Sequence, residues 1–173
     1  MSHWHMLAVV GKDRPGLVAK LTRTLYEHGC NLGEASMSRL GDSFAMMLMV
    51  QSSHGAAELQ GMLIPVSREM QVHCHVDRID GKLHAHLEPN VRVSVFGADR
   101  AGIVAQVTGV LAEAGLHICS LETSVAGTNA KPIYVMHIEG VACNGIEQLK
   151  AQGERLRRDG VDVAVEEIEI LLG

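Results

Sequence analysis

One stretch of this chain occurs twice, and that repeat restricts the available folds more than any other feature. Residues 11–38, GKDRPGLVAKLTRTLYEHGCNLGEASMS, align with residues 97–124, GADRAGIVAQVTGVLAEAGLHICSLETS, at a constant offset of 86 positions. Between residues 11–41 and 97–127, 12 of 31 positions are identical without a gap. Among them are Gly11/Gly97, Asp13/Asp99, Arg14/Arg100, Gly16/Gly102, Gly29/Gly115 and Gly41/Gly127. Chance would supply about two matches, so the chain carries an internal duplication. Two domains of about 85 residues follow, each small but able to bury a core. We expect one at residues 1–80, a linker at 81–90 and the other at 91–173. The linker segment, DGKLHAHLEP, brings Gly, Pro and charge but little that would pack.

Each copy has the same order of local signals. Residues 3–10 read as a strand that ends in turn chemistry at Gly11-Lys12-Asp13. Leu17, Val18, Leu21 and Leu25 then fall at helical spacing. In the second copy the corresponding stripe is Ile103, Val104, Val107, Val110, Leu111 and Ala114. Gly29 and Gly115 stand where a helix end needs a left-handed residue. A hairpin follows in each copy. The first turns at Gly41-Asp42, and its second strand, FAMMLMV, is apolar on both faces, as a central strand would be. The second pairs residues 118–125 with 133–139 across a longer polar loop, AGTNAKP. Leu59, Met62, Leu63 and Val66 mark a second helix, with Ile146, Leu149, Gly153 and Leu156 as a weaker counterpart. A closing strand ends each copy: Met70, Val72, Cys74 and Val76 on one face, then Val161, Val163 and Val165. The order βαββαβ is that of a ferredoxin-like α+β unit, an antiparallel sheet with both helices on one face. The other face is too apolar to be left wet, so pairing between the repeats is expected.

Composition excludes several functions. Net charge is −5, and it lies in the second half: 8 basic and 8 acidic residues in 1–86, against 7 basic and 12 acidic in 87–173. That is not the electrostatic footprint of a nucleic-acid binder. The densest basic run, Arg155, Arg157 and Arg158, is flanked by Glu154 and Asp159 and reads as a solvated helix face. No apolar run approaches the roughly 20 residues of a membrane helix. Cys30, Cys74, Cys119 and Cys143 form no CxxC pair, and without a signal peptide they read as reduced thiols of a cytoplasmic protein. Neither GxGxxG nor GxxxxGK[ST] is present, and local sequence suggests no nucleophile with an adjacent base. No cofactor is expected. His73 and His75 share a strand face about 7 Å apart, and His84 and His86 follow. A polar face and a wet linker explain them better than a metal, since no carboxylate or cysteine completes the ligand spacing.

The repeated loop carries the chemistry. A strand ends at residue 12 and a helix begins a few residues later, presenting unpartnered N–H groups and a partial positive charge. Such an end accepts an anion or a carboxylate. Gly16, without a Cβ, would let a backbone or small ligand come close. Pro15 suits a first helical turn. Asp13 is placed either to cap the helix or to hold a ligand ammonium. Asp-x-Pro-Gly is equally a plain helix-start signal, so the motif alone leaves both readings open.

The pattern DRPGLVAxLTxxLxxxGxNL within a βαββαβ unit resembles the ACT domain, a regulatory module that binds amino acids. Two such modules in one chain of this length resemble the glycine cleavage system transcriptional repressor family. The resemblance implies domains paired side by side, with ligands between the loop of one and the start of the second strand of the other. One candidate site then joins Asp13, Arg14, Pro15, Gly16 and Leu17 to His117 and Ile118. The other joins Asp99, Arg100, Ala101, Gly102 and Ile103 to Asn31 and Leu32. Asn31 is the family's usual residue, whereas Ala101 replaces its Pro and His117 its Asn, so the two sites are not equivalent. The implied protein is a non-enzymatic regulator that binds a small amino acid, glycine at the family level. It acts by contact with a LysR-type transcriptional activator or another regulatory protein, without gripping DNA or membrane, and a homodimer is compatible with it. The rival readings are a trans-acting, amino-acid-sensing subunit of a metabolic enzyme and a pure interaction module without ligand.

Overall fold

A computed structural model of the protein describes residues 2–79, 87–98, 101–128 and 131–168. The chain divides into two compact units, residues 1–84 and 85–173. Of the expected linker, residues 81–86 lie outside the described residues.

The first unit runs β1 (His3–Lys12), α1 (Leu17–Glu27), β2 (Asn31–Leu40), β3 (Ser43–Ser52), α2 (Ala56–Met70) and β4 (Val72–Arg78). Its sheet has the order β2-β3-β1-β4 with every neighbour antiparallel. The second unit repeats this with β5 (Val91–Ala98), α3 (Ile103–Glu113), β6 (Leu116–Thr128), β7 (Lys131–Ala142), α4 (Ile146–Arg158) and β8 (Asp162–Glu167), in the order β6-β7-β5-β8. Both units are ferredoxin-like, and α1 and α3 begin and end at positions 86 residues apart.

One core per unit explains why both helices share a face. Leu17, Leu21 and Leu25 recur every fourth residue of α1 and are buried. They cluster with Leu59, Leu63, Val66 and Met70 of α2 and with Leu7, Val9, Phe44, Leu48 and Val50 from one sheet face. Burying each such side chain stabilises the fold by about 1.5–3 kcal/mol, so the stripe and the alternation select the same arrangement. In the second unit Ile103, Val107 and Leu111 meet Leu149 and Leu156 over Val91, Val93, Val95, Met136 and Ile138. The opposite sheet face differs between units. In the first it exposes Val10 and Met47. In the second Arg92 pairs with Glu139 at 2.7 Å and Ser94 with His137 at 3.2 Å.

Three expectations are corrected. Met70 closes α2 and is not part of the last strand, because the chain turns at Gln71 with φ 56° and β4 starts at Val72. The second hairpin has no seven-residue loop. Gly127 pairs with Pro132 and Thr128 with Lys131, so ladder pairing reaches through the polar composition. β1 extends two residues past the expected end, to Lys12, opposite Ser43.

Candidate functional site

The loop after β1 is tied down by backbone before any side chain acts. The Asp13 N–H donates to Asp42 O at 2.9 Å, joining the loop to the β2–β3 turn, and the Leu17 N–H donates to Arg14 O at 3.2 Å. Gly16 precedes α1 with φ 83°, and Gly102 precedes α3 with φ 84°. A Cβ on either glycine would meet nothing within 4 Å. The repeated glycine therefore serves a left-handed backbone, which costs an L-residue roughly 1–2 kcal/mol, and no other part of its own unit packs against it.

Two further sequence expectations change here. Asp13 does not cap α1, which has no side-chain cap; its Oδ2 lies 2.8 Å from Nη2 of Arg39 on β2. Pro15 stands in the turn ahead of the helix and not in its first turn. Arg14 turns the other way and hydrogen-bonds the Gln71 side chain at the α2–β4 junction.

These residues border an open cavity of about 410 Å³. Asp13, Arg14, Gly16 and the first turn of α1 form one side, and Met37, Arg39 and Phe44 the other. Val18, expected on the core stripe, is 39% exposed and lines this opening. Met37 and Arg39 escaped the sequence analysis. Strand alternation sets them on the helix-bearing face, since Met37 pairs with Met46 and Arg39 with Phe44. The signal that would have found them was their replacement by Thr123 and Val125 in the other copy.

The remaining candidates are placed as follows. Ala101 and Gly102 are exposed and Ile103 is buried at the start of α3, while Asp99 and Arg100 lie outside the described residues. Asn31 is exposed and Leu32 packs on the first core; His117 is exposed and Ile118 packs on the second. Within one unit the two groups stand apart. Asn31 aligns through Gln51 with Trp4, whereas Leu40 aligns through Ser43 with Lys12. Eight strand residues, about 26 Å, separate those ends. The second unit repeats this, with Ile118 level with Val91 and the α3 start beyond Ala98.

Other constellations stay dispersed. His73 and His75 are exposed, and His75 contacts Asp77 at 3.0 Å. No group of three or more His, Cys, Asp or Glu gathers at ligand distance among the described residues, and His84 and His86 lie outside them. Cys30 is buried with Sγ 3.5 Å from Ser52 Oγ, and Cys119 and Cys143 are exposed. Burial pushes the Cys74 thiol above its ordinary pKa, against a smaller opposing pull from Ser67. No helix among the described residues is long and apolar enough to cross a membrane.

The two units share one ferredoxin-like fold, each with a glycine ahead of its first helix. The sequence model of the ACT domain matches residues 5–77, nearly the whole of the first unit. The chain is similar to the glycine cleavage system transcriptional repressor of Escherichia coli (strain K12), at 22% identity over 138 residues, covering 79% of this chain and 73% of that protein. A crystal structure of an unknown protein from Galdieria sulphuraria shares the fold, with TM-score 0.77 and 24% identity over 98% of this chain and 100% of that one. So does a structure provisionally assigned as a glycine cleavage system transcriptional repressor, with TM-score 0.70 and 19% identity over 98% and 99% of the two chains.

Proposed function

We propose that this protein is a non-enzymatic regulator that senses a small amino acid and passes the signal on by contacting another protein. One observation carries the reading. Beside the loop of an ACT-type unit, a carboxylate and a guanidinium 2.8 Å apart border a cavity of about 410 Å³. A free amino acid holds an ammonium and a carboxylate in close proximity, the complement of that pair. Ligand contacts are assigned to Asp13, Arg14, Pro15, Gly16 and Leu17, and to Asp99, Arg100, Ala101, Gly102 and Ile103. Asn31, Leu32, His117 and Ile118 complete the assignment. Glycine is the first ligand to test, because the E. coli relative is named for glycine cleavage.

The partner we assign is a LysR-type transcriptional activator. A net charge of −5 disfavours direct DNA contact. Ligand binding then shifts the population of one conformation, and the partner reads it through its differential affinity for the two states. Calorimetry and thermal melting with each of the twenty amino acids test the sensing step. A true ligand at a hundred times its Kd stabilises by about 2.7 kcal/mol. Absence of both heat and stabilisation across the set would sink the reading. Affinity capture from the native extract tests the partner: a transcriptional activator supports the reading, and a metabolic enzyme replaces it with the trans-acting subunit.

A further inference from the structure

We propose that Arg39 decides amino-acid recognition, which makes the first unit the sensing copy; this rests on the amino-acid-binding reading above. α1 leaves the β2 edge of the sheet uncovered, and the opening is the cavity between Val18, Met37 and Phe44. Arg39 reaches into that region from β2 and is 63% exposed, while its partner Asp13 is 27% exposed. A guanidinium has five donors, and Asp13 Oδ2 is Arg39's single ion-pair partner among the described residues. The fork is therefore oriented by Asp13 and retains donors for a second carboxylate, which it can grip in a bidentate manner. A zwitterion entering beside the pair sets its ammonium on Asp13 and its carboxylate on Arg39. Val18 and Met37 offer apolar surface to its carbon skeleton.

The two copies separate on this residue. Arg14, which both copies keep, has one guanidinium nitrogen engaged by the Gln71 side chain, whereas Arg39 answers Asp13. At the position of Arg39 the second unit has Val125, paired with Tyr134 as Arg39 is paired with Phe44, and at the position of Met37 it has Thr123. Val125 is 61% exposed, so that strand position is open in the second unit as well and carries no guanidinium. The strand position that supplies Arg39 in the first unit therefore offers an amino acid no guanidinium in the second.

The experiment is calorimetry on the full chain with glycine, alanine, valine and leucine and with their carboxamides, for wild type, Arg39→Val, Arg39→Lys and Val125→Leu. We expect wild type to prefer the free acid over its carboxamide by about tenfold or more, since a site built to pair a carboxylate rejects the analogue lacking it. Arg39→Val should weaken the acid by a similar factor and erase the preference. Arg39→Lys should retain part of it, because an ammonium keeps the charge and loses the fork. Val125→Leu should change nothing. If Arg39→Val does not fold, as read by its melt, Arg39→Lys against wild type decides alone: unchanged affinity and preference overturn the proposal. Wild-type binding that survives Arg39→Val with the same preference overturns the role of Arg39 and leaves the sensing reading standing. A wild type that binds none of the acids overturns both.

Discussion

The two units share a backbone and differ in what that backbone holds. Their first helices occupy the same positions 86 residues apart, behind glycines at φ 83° and 84°. Yet Gly11 and Gly97, identical in the alignment, do different things. A Cβ on Gly11 would lie 2.8 Å from Gln71 O and from Val72 Cα, because β1 passes close to the end of α2. A Cβ on Gly97 would stand at an ordinary 3.5 Å from Ile103 Cδ1. Duplication preserved the residue; only one copy still has a steric need for it. The same holds around the loops, where Arg39 answers Asp13 and its counterpart Val125 brings no charge. Identity between repeats reports descent, and contacts report use.

The comparison breaks most visibly at those first glycines. Gly11→Ala should destabilise by about 1–3 kcal/mol, since the obstructing atoms are backbone and must move. Gly97→Ala should be neutral or stabilise by up to about 1 kcal/mol through the unfolded chain. Denaturant midpoints of the two variants measure the difference, and equal losses would mean that the close approach at Gly11 is wrong. Gly16→Ala and Gly102→Ala sharpen the opposite case. Both should cost about 1–2 kcal/mol, because both need a left-handed backbone in open space. Clearly unequal values would show that one loop relaxes its φ. The smallest effect is chemical. With a maleimide or disulfide reagent near pH 8, Cys119 and Cys143 should react first. Cys74 should lag, since a raised pKa leaves less thiolate at that pH, and buried Cys30 should react last. Mass spectrometry of timed samples reads the order, and early modification of Cys30 would contradict its burial.

Much of the fold was legible because its signals are local. A stripe at every fourth residue, a glycine after it and an alternating strand each need fewer than about four turns of chain to be read. The errors arose where distant segments decided the outcome. Met70 looked like the first residue of a strand and became the last of a helix, as α2 kept its stripe in contact with the core for one more turn. The polar loop of the second hairpin became ladder because its residues found cross-strand partners. At the site, the glycine that opens the helix was evident from the repeat, whereas the partner of Asp13 was not.

The sequence by itself determined that this protein is two copies of a βαββαβ unit, with a loop held open by a glycine before each first helix. Periodicity and duplication are properties of neighbouring residues and of alignment, so no fold was needed to see them. Only the tertiary structure decided what Asp13 faces. Arg39 lies 26 positions away, and its reach depends on the register of β2 against β3. A slip of one residue would turn that guanidinium to the other face of the sheet. The second unit carries a comparable bulge between Ile118 and Ser120, so the strand pairing brings an equivalent position to each loop, and the residue it delivers, Arg39 or Val125, is what separates them.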